Sequence, residues 1–448
     1  MPHMPSQMGN NTRKMNPYTD NETIRKLLKQ LQDNGLDQKV YSDVVDARGH
    51  QYVDLVQEGG GVLGIALVGY TWLLEKAGIR FFSLAGTSAG AINTMMIAGT
   101  ARVGEAVSEK ILDILSEMDL MSFVDGDRQL KSLLQAYMDD KKWMKFRVFR
   151  NSLRIWKALR SNLGLNPGLT FRQWIEEVLA ESGIHSLADL ETHRAEIPRL
   201  YHRETNEEIS RRAELKIIVS DITTKSKITF PEMAPLYWAE PRRVNPACFV
   251  RASMSIPYFF QPYVVEPIPG AGKQYGPSLQ EDPHRPGYPP LPGERANWRK
   301  FTGYRGIIPE KVHFVDGGIL SNFPINAFHR STRPAKPTFG ARLSTWRTEA
   351  PVIQGIGDMT GAMISTMRQL HDYDFLLRNR DYKQLICSID CDAEKDKNGK
   401  TKFRWLDFNM KPELKVQLFN LGAKRGLEFL EKFNWQEYRT MREDHPLQ

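Results

Sequence analysis

Between Gln51 and Gly99 the chain reads strand, glycine turn, helix, twice in succession. "QYVDLV" alternates as a strand does, runs into "EGGGVLG" and continues as "IALVGYTWLLEKAG", a helix that Gly78 should stop. "IRFFSLAG" is the next strand and "SAGAINTMMIAG" the next helix. Two such units in tandem predict a parallel, doubly wound α/β sheet covered by helices. Further strands are expected in "ELKIIVSDI" (Glu214 to Ile222), in "KVHFVDGG" (Lys311 to Gly318) and around Cys387. Helices are expected over Asp20 to Gly35, after Pro351 in a Met-rich stretch, and from about Pro412 to Phe433. Strands at both ends of this span and the absence of a repeat predict one large domain over 41–440. An arm and helix (1–40) precede it, and it carries a helical cap region at 101–200 and a Pro/Gly-rich insertion at 266–309.

The totals narrow the class. A composition 41% hydrophobic and 25% charged is that of a globular protein with ample core. The longest apolar stretch, Val62 to Leu74, holds glycines and is too short to span a bilayer. The first twenty residues lack the apolar core of a secretory signal, so a cytoplasmic location is expected; export by a route without such a signal stays open. Cys248, Cys387 and Cys391 make no disulfide framework, and Cys387 and Cys391 read as strand residues rather than metal ligands. The net charge of +8 favours an anionic surface, nucleic acid or acidic lipid, without choosing between them.

Chemistry concentrates at the two glycine turns. "GTSAG" sets Ser88 between Gly86 and Gly90 where a strand passes into a helix. There a serine is lifted from the sheet edge and lies beside the positive end of the helix dipole. In "EGGGVLG", Gly59, Gly60 and Gly61 offer bare amides of the kind an oxyanion hole needs. The rival reading is a dinucleotide-binding turn, since Gly59, Gly61 and Gly64 fit G-x-G-x-x-G. The acid that such a turn requires about 20 residues later is missing from "IRFFSLAGTS". A serine also needs a base. Asp316, at a strand end before Gly317 and Gly318, is the candidate, expected on the same carboxyl edge as Ser88; taken alone, "DGG" reads first as a plain turn. His313, His329 and His371 keep a Ser–His–Asp esterase open as the alternative.

"EGGGVLG" (58–64), "GTSAG" (86–90), "RASMSIPYFFQP" (251–262) and "VDGGILSNFP" (315–324) together, in this order, resemble the patatin-like phospholipase family. The resemblance implies a three-layer α/β/α fold with a mostly parallel central sheet and a helical cap. It implies a lipid acyl hydrolase, of phospholipase A or lysophospholipase type, that works with a Ser–Asp dyad and no histidine, metal or cofactor. Ser88 is then the nucleophile, Asp316 the base, and Gly59, Gly60 and Gly61 the oxyanion hole. Gly64, Gly86, Gly90, Gly317 and Gly318 support the turns, and Ser253 and Pro257 match the family's helix beside the site. One departure stands out: Leu63 replaces the Arg or Lys often found before the last glycine of the first motif, which removes a charge that would hold a phosphate.

The expected partners are membrane phospholipids or other acyl-ester lipids, together with a regulatory ligand or activating protein; no specific nucleic-acid binding is expected. "KKWMKFRVFRNSLRIWKALR" (Lys141 to Arg160) would carry one aromatic face as a helix, with Trp143, Phe146, Phe149 and Trp156 on it and Lys145 and Arg150 among its cations. Such a helix suits a peripheral membrane contact, or equally a cap packed on the core. Met359, Met363 and Met367 fall at four-residue steps and are expected to pack in the core, with an acyl-channel lining as the functional option. A non-catalytic membrane-docking module with a vestigial pocket is the third reading of the whole chain.

Overall fold

The computed structural model describes residues 16–127, 152–272, 298–330, 332–344, 353, 355–396, 399 and 401–444. It is a three-layer α/β/α structure built on a mostly parallel sheet. The strands that organise it are β1 (Val44–Asp46), β2 (Gln51–Gln57), β3 (Ile79–Thr87), β4 (Gly164–Asn166), β5 (Leu200–His202), β6 (Leu215–Asp221), β7 (Ser226–Phe230), β8 (Tyr258–Phe260), β9 (Tyr263–Val265), β10 (Val312–Asp316), β11 (Thr338–Arg342) and β12 (Ile386–Ser388). Ten of them form the central sheet, whose main order is β12-β11-β2-β3-β6-β10-β9, while β4 and β8 pair separately. The five from β12 to β6 are mutually parallel. All seven residues of β2 are buried although its sequence alternates. An interior parallel strand covered by helices has no solvent face.

α1 (Glu22–Asp33) is capped by the Asn21 side chain, which accepts from the Ile24 amide. Its Ile24, Leu27 and Leu31 join one apolar core that runs on to Tyr438. α2 (Ile65–Lys76) is buried along almost its whole length, as a helix between sheet and outer helices must be. α3 (Ala89–Thr100) follows β3 through the second glycine turn. No helix among the described residues is long and apolar enough to cross a membrane.

One detail of the sheet positions the chemistry. β7 runs along one edge of β6, from Ile217 to Asp221. The other edge is shared: β3 pairs with Leu215 to Ile218 in parallel, and β10 pairs with Val219 to Asp221 antiparallel. Thr87 lies opposite Ile218 and Asp316 opposite Val219, so β3 and β10 meet end to end, carboxyl end against carboxyl end. Asp316 therefore lies at the carboxyl end of β3, on the same edge as Ser88, but on a strand antiparallel to β6. β10 arrives from the opposite direction and reaches Ser88 because β6 extends three residues past the end of β3.

Candidate active site

Ser88 follows β3 with φ +53° and ψ −120°. A non-glycine residue in that left-handed region costs about 1–3 kcal/mol and is held only where its surroundings dictate it. The turn aims the hydroxyl at β10. Ser88 Oγ donates to Asp316 Oδ2 at 2.7 Å, and its other close neighbour is the Met254 sulfur at 3.2 Å. Both residues are buried, Ser88 3% and Asp316 7% exposed. The second carboxylate oxygen of Asp316 accepts from the Gly318 amide at 2.7 Å, and the Asp316 amide donates to the Ser255 carbonyl.

The elbow is held from the third motif. The Ser88 amide donates to Ser253 Oγ at 2.9 Å, and the Ser253 hydroxyl donates on to the Ile218 carbonyl at 2.7 Å. One side chain thus ties the serine turn to the strand along which β3 and β10 meet. Ser253→Ala leaves a buried amide without an acceptor, which costs about 1–3 kcal/mol. A 10- to 100-fold lower kcat is therefore expected, about one to two steps of 1.4 kcal/mol, with KM little changed. Steady-state kinetics of Ser253→Ala beside Ser253→Thr, which keeps the hydroxyl, would read this. Equal losses in both would assign the effect to packing.

The glycine loop is fixed by the fourth motif. The Gly59 amide donates to the Asn322 carbonyl at 3.0 Å, while Asn322 Nδ2 donates to the Gly59 carbonyl at 3.1 Å and to Glu58 Oε1 at 3.2 Å. Glu58 in turn accepts from the Leu343 and Ser344 amides and the Ser344 hydroxyl. Gly59 is therefore corrected as an oxyanion donor: its N–H is already spent, and it serves as the clamp of the loop. Of the three expected donors, Gly60 and Gly61 are the candidates left. Gly61 has φ +57°, and a β-carbon there would lie 2.1 Å from the Trp405 carbonyl oxygen. The flanking glycines allow close approach. Gly64 packs on Ala89, Gly86 faces the Gly90 carbonyl, Gly90 abuts the Gln57 carbonyl and Gly317 the Ile218 carbonyl.

An apolar cleft opens beside the serine, lined among others by Val62, Ile65, Met96, Phe123, Trp174, Met254 and Phe408. Phe123 meets Phe171 edge to face, and Trp174 lies tilted against both. Gly61 and Ala89, from the two glycine turns, are among its lining residues.

Histidine takes no visible part at Ser88: among the described residues the hydroxyl meets only Asp316 and Met254. The His329 ring bonds the Tyr382 hydroxyl, and burial lowers its pKa. His313 sits within β10 with its amide on Thr223 Oγ1, and the His371 ring lies outside the described side chains. Cys387 and Cys391 are buried, and no group of three potential ligands suited to a metal occurs among the described residues.

Of the basic aromatic segment, Trp143, Lys145, Phe146, Phe149 and Arg150 lie outside the described residues. Trp156 lies on the helix Ser152–Asn162 and is exposed, as is Leu153, with the Arg160 guanidinium 4.9 Å from the Trp156 ring centre. For these two side chains core packing is excluded. It is excluded also for Met359, Met363 and Met367, which stand half exposed on the helix Ile356–Arg378 and do not line the cleft. Four-residue spacing marks a face but not what the face meets.

That helix contributes a residue with no signature in the sequence. Asp372 is buried, and its carboxylate accepts from the Ser321 hydroxyl and the Phe323 amide, each at 2.8 Å, bracing the loop after Asp316. Burial pushes its pKa up to about 7; the nearby Glu58 adds to this, while the two hydrogen bonds and Lys227 pull the other way. The folded chain therefore holds a proton between pH 3.8 and about 7 that the unfolded chain has lost. The stabilisation is full below pH 3.8 and is lost as the pH rises to 7, about 4 kcal/mol at most. Asp372→Asn, which can still accept from Phe323, is expected to flatten this slope. Urea unfolding at pH 5 and pH 8 would show the wild type losing more stability than the variant.

A family model described as patatin-like phospholipase matches residues 55–329. The chain is 28% identical over 386 residues to the uncharacterized protein YqhO of Bacillus subtilis (strain 168), an alignment spanning 86% of this chain and 100% of that protein. Among solved structures it is similar to VipD from Legionella pneumophila, at 14% identity and a TM-score of 0.37, covering 88% of this chain and 71% of that one. It is also similar to the heterodimeric ExoU–SpcU complex of the type III secretion system of Pseudomonas aeruginosa, at 14% identity and a TM-score of 0.31, covering 85% of this chain and 51% of that one.

Proposed function

As this chain belongs to the patatin-like phospholipase family and is by that membership a lipid ester hydrolase, we propose that it cleaves acyl esters of membrane lipids through Ser88 and Asp316. The observation that carries this reading is the 2.7 Å hydrogen bond from the buried Ser88 hydroxyl to the Asp316 carboxylate. A carboxylate at that distance can take the proton as Oγ attacks the acyl carbonyl. The Gly60 and Gly61 amides then hold the oxyanion, since a bare amide aimed at the developing charge is worth about 3 kcal/mol of barrier. The departing alcohol, a lysolipid or glycerol derivative, recovers the proton from Asp316. Water enters, gives a proton to the same carboxylate and adds to the acyl carbon; as the C–Oγ bond breaks, Ser88 Oγ takes that proton back and the fatty acid leaves.

The apolar cleft supports an acyl chain as the group held during attack, because long apolar side chains line it together with residues of both glycine turns. The exposed Trp156 and Leu153, beside a cation-rich sequence, support docking on an acidic lipid surface. Phospholipase A or lysophospholipase specificity is proposed from the family alone. Fatty-acid release from mixed-lipid vesicles, with products resolved by mass spectrometry, tests the reaction. Capture of Ser88 by a fluorophosphonate tests the nucleophile, and a chain that neither releases acid nor labels at Ser88 would belong to the non-catalytic class.

A further inference from the structure

A second cavity, of about 590 Å³, lies away from Ser88. It opens at the start of β6, between the helix Leu187–Ala195 and the segment 231–242, about 10 Å down the strand from Ile218 at a rise of ~3.3 Å per residue. Its volume is within the range of small-molecule sites. Four cations and three carboxylates border it. Glu191 is engaged by Arg242 at 3.2 Å and Arg212 at 3.9 Å, and Glu214 by Lys216 at 3.0 Å. The third carboxylate, Glu232, is exposed.

Arg194 differs from the other cations. It is 7% exposed, and among the described residues its one hydrogen bond runs from Nη2 to the Phe82 carbonyl at 2.8 Å, while Nε has no partner. No ion pair with a carboxylate accompanies it among the described residues. Burial lowers its pKa to about 10, which leaves it charged at neutral pH. The carbonyl end of its own helix supplies only a fraction of a charge. A guanidinium withdrawn from water without a counter-charge is costly to keep, and a planar donor fork beside a cavity suits a phosphate or carboxylate.

We infer that this cavity binds a small organic anion whose phosphate or carboxylate head sits on Arg194 and whose apolar body lies against Leu187, Leu190 and Leu215. The inference is independent of the hydrolase reading. Calorimetric titration of the full chain with phenyl phosphate, at fixed ionic strength, is expected to show saturable one-to-one binding. The affinity should fall at least tenfold in Arg194→Met and stay unchanged in Ser88→Ala, which separates the cavity from the active site. Vesicles with and without phosphatidic acid form the second arm. Binding to phosphatidic acid without binding of phenyl phosphate, lost in Arg194→Met, would assign the same site to a lipid headgroup. If Arg194→Met does not fold, the double variant Arg212→Ala, Arg242→Ala at the rim is expected to weaken binding severalfold. No saturable binding by either probe, or binding unchanged in the folded variants of this cavity, overturns the inference.

Discussion

Ser88→Ala and Asp316→Asn are each expected to lower fatty-acid release from phospholipid vesicles by at least about 10⁴-fold, since members of a catalytic unit fail together when one is removed. The substitutions remove different things. Alanine takes away the attacking oxygen and the left-handed turn's only reactive group. Asparagine at 316 is nearly isosteric and can still accept the Gly318 amide at Oδ1. Its other terminus would be an amide unable to take the Ser88 proton. Melting temperatures close to wild type are expected for both, so the loss reads chemistry rather than folding. A fluorophosphonate should label the wild type, fail on Ser88→Ala, and react slowly with Asp316→Asn. Near-normal turnover by Asp316→Asn would pass the role of base to a histidine and revive the Ser–His–Asp alternative.

Gly61→Ala carries the second large effect. The position has φ +57°, and the added methyl carbon would fall 2.1 Å from the Trp405 carbonyl oxygen. Backbone cannot swing aside as a side-chain terminus can, and alanine in the left-handed region costs about 1–2 kcal/mol besides. The loop must therefore shift, and its amide moves with it. Losing one oxyanion donor typically costs about 10²–10³ in kcat, so a loss of at least that size is expected, with a lowered melting temperature. Gly60→Ala is the control: its methyl would meet Leu343 Cδ1 at 2.6 Å, the end of a flexible side chain that can turn away. It should keep the fold and lose less activity. Equal and small effects at both positions would remove this loop from the oxyanion hole.

The order of elements around Ser88 was legible because each depends on local pattern. Strand β2, the triple glycine, α2, β3 and α3 each follow from spacing and turn chemistry within about a dozen residues. The pairing of Ser88 with Asp316 rested on the four motifs together, for nothing local ties position 88 to position 316. What sequence could not give was direction and bonding. That β10 runs against its neighbours depends on how the chain returns to the sheet. That Gly59 spends its amide on Asn322 depends on two loops meeting in space. Asp372 left no trace, because an aspartate within a charged helix looks the same whether it faces water or braces a buried loop. The methionine stripe misled in the opposite sense, since three apolar residues at helical spacing usually find a core and these stand half exposed.

The head-on meeting of β3 and β10 along β6 makes that one short strand a gauge for the distance between Ser88 and Asp316. Ser88 and Asp316 stand 228 residues apart in the chain, yet their separation is measured by the single step from Ile218 to Val219. Loops, caps or extra helices added to the intervening chain outside β6 and the Ser253–Ser255 turn leave that step untouched. The scaffold can thus exchange nearly everything that governs which lipid arrives and when, while the hydroxyl and carboxylate stay at bonding distance.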